Sequence, residues 1–154
     1  MKDLIDYLVA NSDTSSIYSG SGGDDESRLH ASLLDRLAKD LRSIEIYSQP
    51  KHVFKEVALK EEITIGAVDL VVLDEHGELY LIEAKNIISP DKEATRVRNE
   101  IRKQLRRAYE FFKRKYNVTG TMIGAYQRRG QNRIDHFRIP KDLDDLLSTI
   151  SNEE

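Results

Sequence analysis

Asp69, Glu83 and Lys85 are of the types that carry out phosphoryl transfer, and their spacing allows them to meet. Glu83-Ala84-Lys85 ends the apolar run Leu79-Tyr80-Leu81-Ile82, and upstream Asp69 interrupts a second apolar run from Ala67 to Leu73. Side chains alternate between the faces of a strand, so Glu83 and Lys85 point the same way. Burying such groups is costly unless they are paired or hold a metal. Between the two runs lies Asp74-Glu75-His76-Gly77-Glu78, a turn signal. A loop of residues 75 to 77 puts Gly77 in the left-handed position, pairs Asp74 with Glu78 and carries Asp69 opposite Glu83. A loop one residue shorter or longer sets Asp69 opposite Ala84, with Glu83 on the other face. The favoured turn brings two carboxylates and a lysine together on one sheet face.

Two adjacent carboxylates without a cysteine or histidine partner form a hard oxygen site, suited to Mg²⁺ or Mn²⁺. Beside a phosphodiester such an ion polarises the phosphoryl oxygen and supplies hydroxide, while a lysine stabilises the charge of the transition state. Patterns for a phosphate-cradling glycine loop, a serine nucleophile and a zinc protease are all missing from the sequence.

The elements that must position these residues can be read along the chain. Residues 2–10 suit a short helix with Leu4, Ile5 and Leu8 on one side, and residues 12–23 form a Gly/Ser-containing segment expected to be flexible. Asp24 or Asp25 caps a helix to about Ser43, with Leu29, Leu33, Leu37 and Leu41 as its buried stripe. Glu26 falls inside that arc, and His30 beside it reads as a core histidine more readily than as a ligand. Strands are expected at 44–48, 53–60, 63–74 and 78–85; the last two are apolar on both faces and so belong in the centre of a sheet. A long helix runs from Pro90-Asp91 to about Asn117, with Ala94, Val97, Ile101, Gln104, Leu105, Ala108 and Phe112 inward and a basic outer face. Strands at 119–126 and 133–139 follow, and Pro140 opens a short helix from Leu143 to Ile150.

Composition bounds the rest. The 154 residues suit one α/β domain (residues 24–154) preceded by the helix of residues 1–11, and the lack of cysteine excludes disulfides, thiolate metal sites and cysteine nucleophiles. No run is long and apolar enough for a membrane span. Acids at Asp3 and Asp6 do not suit a secretory signal, so a cytoplasmic protein is expected. The net charge of −3 conceals an asymmetry: residues 1–91 hold nine basic and eighteen acidic groups, residues 92–138 fourteen basic and four acidic. A basic block in an acidic chain points to a polyanionic partner.

The aspartate in an apolar strand, the turn, the strand ending in Glu83-Ala84-Lys85 and the flanking helices resemble the PD-(D/E)XK nuclease superfamily. The resemblance runs from about Glu26 to Ile139. It implies a restriction-endonuclease-like α/β fold with a central mixed sheet flanked by helices. Asp69 matches the motif aspartate, Glu83 the motif acid, Lys85 the motif lysine and Glu26 the helix acid. Gln104 is similar to the glutamine of RecB-type members. Val68 stands where the motif has proline, and Tyr109 follows Gln104 one residue later than the usual tyrosine. The resemblance implies a Mg²⁺- or Mn²⁺-dependent endonuclease acting on DNA. Asp69, Glu83, Glu26 and the Ala84 carbonyl would hold the ion, and Lys85 would act at the transition state. The turn with Arg128, Arg129 and Arg133 is the expected DNA contact. Cutting a duplex asks for two sites, so a homodimer is expected, built on the N-terminal helix or on Leu143, Leu146 and Leu147. A binding module of the same fold without cleavage, or an interaction protein, would leave the basic surface without turnover.

Overall fold

The computed structural model describes residues 1–13, 25–87, 91–128 and 130–141, with the side chains of 25–27 and 91–94 outside the description. The expected helix from Leu143 to Ile150 and the Gly/Ser segment from residue 14 onward lie outside the described residues. The elements are α1 (Lys2–Asn11), α2 (Asp25–Lys39), a 3-10 turn (Leu41–Ile44), β1 (Pro50–Lys60), β2 (Thr64–Asp74), β3 (Leu79–Ile87), α3 (Asp91–Tyr116), β4 (Thr121–Arg128) and β5 (Ile134–Ile139). The five strands form one mixed sheet in the order β1-β2-β3-β4-β5, antiparallel except for the parallel pair β3–β4. A parallel pair needs a crossover connection, and α3 supplies it.

Alternation along β3 divides the core in two. Leu79, Leu81 and Ile87 pack with Val97, Ile101, Leu105 and Phe112 of α3 and with Leu4 and Leu8 of α1, while Tyr80, Ile82 and Ala84 pack with Leu33, Leu34 and Leu37 of α2. The sheet is therefore sandwiched between α1 and α3 on one face and α2 on the other. Both faces of β2 and β3 are covered, as their continuous apolar character requires.

The β2–β3 turn sets the register. Leu73 pairs with Leu79 and Leu70 with Ile82, the Asp74 amide donates to the Glu78 carbonyl at 3.1 Å, and Gly77 has φ of 80°. This is the loop of residues 75–77, and its register aligns Asp69 with Glu83. The Asp74 carboxylate holds the turn: it accepts from the His76 amide at 2.9 Å, the Glu78 amide at 2.8 Å and the Ser48 hydroxyl at 2.7 Å. Burial opposes its ionisation, but these hydrogen bonds outweigh burial and lower its pKa.

Three expectations change. Residues 44–48 form no strand: Leu41–Ile44 is a 3-10 turn closed by Glu45 at φ of 63°, and Ile44 and Ile46 are buried from an irregular segment. A two-residue alternation arises wherever every second side chain reaches a core, with or without a ladder. Leu29 is 46% exposed, because α2 extends by its first turns beyond the core that begins at Leu33. Finally, Leu4 and Leu8 are not free for an interface between copies. They are buried in this chain's own core, and the Tyr7 hydroxyl beside them donates to the Ala58 carbonyl and accepts from the Lys60 amide.

Candidate metal centre

Asp69 sits where the sheet changes phase. The β1–β2 ladder passes from Lys55↔Leu70 to Val57↔Val68 without pairing Glu56 to Asp69. On β2, Leu73, Val71 and Val68 all join the α3-side core, while Val72 and Leu70 join the α2 side. Regular alternation would put Val68 with Leu70, so the strand shifts by one face at Asp69. On β1 the same shift sets Phe54 and Val57 on one side, and between them Glu56 adopts φ of 50°. Left-handed backbone in a non-glycine residue inside a strand is strained, and such irregularities often re-aim side chains at functional sites.

The shift lets Asp69 reach in two directions. Its Oδ2 accepts from the Ala84 amide at 2.8 Å, and its Oδ1 lies 3.2 Å from His30 Nε2 on α2. Its own amide donates to Glu83 Oε1 at 3.1 Å, so the two acids are locked across the strands. The Ala84 carbonyl points to the same side as its amide, as in any extended strand, and so faces β2. Glu56 Oε1 stands 3.7 Å from His30 Nε2, and the donor atoms of His30, Glu56 and Asp69 lie within 4.8 Å of one another.

The electrostatics are those of a site short of positive charge. Glu83 is 3% exposed, and burial, reinforced by the neighbouring Asp69 charge, pushes its pKa up to about 9, although Lys85 pulls it down. Burial likewise raises Glu56, helped by Asp69 and opposed by His30. His30 is raised by its hydrogen bond to Asp69 against the opposing effect of burial. The Lys85 charge also acts on this group, lowering the pKa values of Glu83, Glu56 and His30.

These donors fit a divalent cation. Oxygen ligands suit Mg²⁺ and Mn²⁺, and an imidazole shifts the preference toward Mn²⁺ and later metals. Gln104 belongs to the same face of α3 as Ile101 and Leu105. Its Oε1 is the one buried side-chain polar atom without a hydrogen-bond partner among the described residues. A buried acceptor of this kind is costly to leave unpaired.

The structure thus brings together Asp69, Glu83, Ala84 and Lys85. Glu26 lies in the first turn of α2, one turn before His30, but its side chain is outside the described residues. Sequence reasoning missed Glu56, and it gave His30 a core role where the structure gives a half-exposed one bonded to Asp69. At the β4–β5 turn, Arg133 Nε pairs with Asp135 at 3.1 Å, the Arg128 carbonyl accepts from the Gln131 amide at 3.0 Å, and Arg129 is outside the described residues. No protein-family model matches this chain, and no curated protein matches it significantly. Among the described residues, no helix is long and apolar enough to cross a membrane.

Proposed function

We propose that this protein is a metal-dependent endonuclease that hydrolyses DNA phosphodiester bonds, built on a restriction-endonuclease-like fold. The observation that carries this reading is the register that locks Asp69 to Glu83 through the Asp69 amide and to Ala84 through the Asp69 carboxylate, with Lys85 one step further on the same strand. Asp69, Glu83 and the Ala84 carbonyl would hold Mg²⁺ or Mn²⁺, with His30, Glu56 and Glu26 as further donors on the α2 side. When bound, the ion supplies Lewis acidity toward the phosphoryl oxygen and activates water.

The chain's own residues have distinct tasks. Glu83 gives up its proton when a cation enters, since its raised pKa reflects burial and the Asp69 charge. Lys85 places positive charge where the pentavalent phosphorus gathers negative charge. Gln104 offers its unpartnered carbonyl oxygen to a group that arrives with substrate. Until a cation enters, His30, set by α2 and paired with Glu56, fixes the position of the Asp69 carboxylate. One such site cuts one strand, so duplex cleavage calls for a homodimer whose interface lies away from Leu4 and Leu8.

The test is cleavage of linear, nicked, branched and single-stranded DNA with Mg²⁺, with Mn²⁺ and with chelator, for the wild type and Asp69→Asn. Ion-dependent cleavage lost in the variant supports the reading. Ion-dependent binding of DNA without cleavage would reassign the protein as a binding module.

A further inference from the structure

We infer that Arg98 and Arg102 of α3, held on the Tyr126–Phe137 ring pair, form the phosphate-contacting rail that delivers a DNA strand to Lys85. This rests on the nuclease reading for the identity of the site, and it adds where the substrate backbone runs. Arg98 Nη2 donates to the Tyr126 hydroxyl at 3.0 Å, and its guanidinium lies 5.4 Å from the Tyr126 ring centre and 5.5 Å from that of Phe137. Arg102, one helical turn on, lies 5.2 Å over the same Phe137 ring. Both arginines are exposed, while Tyr126 is buried beneath them. An aromatic face orients a guanidinium without neutralising it, so the fork keeps its charge and its donors for a phosphate.

Position links this rail to the candidate centre. Tyr126 pairs with Lys85 and Gly124 with Glu83 in the parallel β3–β4 ladder. Neighbouring strands are about 4.8 Å apart, so Arg98 stands one side chain away from Lys85. Glu83 and Lys85 share the phase of Leu81 and Ile87, which face α3, and Tyr126 belongs to that same core. The close approach of α3 needs Gly124, where an added Cβ would lie 2.8 Å from Ile101 and 2.5 Å from Phe137.

Charge partners set these arginines apart from others nearby. The partners of Arg98 and Arg102 among the described residues are a hydroxyl, the Asn99 side-chain oxygen and aromatic rings. By contrast, Arg114 pairs with Glu61 and Arg133 with Asp135; Arg106 and Arg107 keep their charge, but their guanidinium donors are engaged by the carbonyls of Lys141, Pro140 and Ile65. Among the described residues Arg98 and Arg102 thus have no carboxylate partner and are held in a fixed geometry beside the centre, a better match to a polyanion than Arg133 with its Asp135 partner.

The experiment is fluorescence anisotropy of short labelled DNA, double- and single-stranded, in chelator and over a range of salt, so that binding is read without cleavage. Arg98→Gln/Arg102→Gln should weaken binding on the order of tenfold per arginine and reduce the slope of log affinity against log salt by about one per arginine. Its melting temperature and Mn²⁺ affinity should match the wild type. Tyr126→Phe, which keeps the ring and frees Arg98, should lose affinity by less than Arg98→Gln. Arg114→Gln, on the far flank, should leave affinity and slope as they are. A double variant with unchanged affinity and slope overturns the proposal, as does equal loss in Arg114→Gln or a wild type that binds no DNA. Cleavage that persists with such an unaltered double variant sinks the rail and spares the nuclease. Binding that depends on the two arginines in a protein that never cleaves supports the rail and removes the nuclease.

Discussion

Burying Glu83 beside Asp69 destabilises the ion-free protein, and the effect has a pH signature. The unfolded chain releases this proton near 4.5, whereas the folded protein holds it to about 9. The folded state therefore binds more protons between those values, and stability falls as pH rises across that window. Glu83→Gln keeps an acceptor for the Asp69 amide and removes the charge, so it should flatten this slope. In chelator at pH 8 or so, melting should rise by about 3 °C for each kcal/mol recovered; calorimetry across pH would show a lower melting temperature if the carboxylate were instead stabilising. Divalent cation should reverse the order, since binding requires the ionised form and releases protons. The Asp69–Glu83 pairing was legible because one turn sets it: Gly77 at its left-handed position leaves a single register. Glu56 was not legible. A half-exposed glutamate in an alternating strand reads as solvent face, and nothing in a glutamate's chemistry announces a φ of 50°. His30 was placed on the right side of α2, but its partner is a residue of another element, which helical periodicity does not specify.

At the scale of elements, the site depends on how closely α3 lies on β3 and β4. Gly124 permits that approach, since a Cβ there would meet Phe137 and Ile101 at 2.5 and 2.8 Å. Gly124→Ala should destabilise the fold by about 1–3 kcal/mol through overpacking and displace the Arg98–Tyr126 contact. Chemical denaturation would check this, and an unchanged midpoint would mean that α3 has more room than the geometry allows. The boundaries of α3, β2 and β3 followed from long periodic or continuous apolar runs. The segment 44–48 did not, because Ile44 and Ile46 are equally buried in an irregular chain reversal at Glu45. The phase shift of β1 and β2 at Glu56 and Asp69 was likewise hidden: Asp69 is flanked by the apolar Val68 and Leu70, so the run on β2 shows no break.

For the whole molecule, α1 is part of the core rather than an appendage. Leu4 and Leu8 are 1% and 0% exposed, and Tyr7 packs its ring 5.5 Å from that of Phe111 and 5.6 Å from that of Tyr116. Leu8→Ala should cost about 2–5 kcal/mol, and removing residues 1–11 should lower stability far more than it alters any association between copies. A truncated protein with unchanged melting temperature and a smaller mass in light scattering would restore α1 to an interface role. Core membership of a short N-terminal helix was not readable from its own pattern, because an apolar stripe does not say which surface covers it. The charge asymmetry was readable at this scale, but the sites that carry it were not, since ion pairs such as Arg114–Glu61 and Arg133–Asp135 join residues far apart in the chain or across the start of β5.

Single-turnover cleavage of labelled DNA by the wild type and Lys85→Ala, with Mn²⁺ affinity and DNA affinity measured alongside, separates chemistry at Lys85 from binding. The wild type should cleave in a Mn²⁺-dependent manner, and the variant should lose on the order of 10²-fold or more in rate with little change in either affinity. Cleavage at the wild-type rate by Lys85→Ala, or none by the wild type on any DNA substrate with Mn²⁺ bound, would contradict the proposed chemistry.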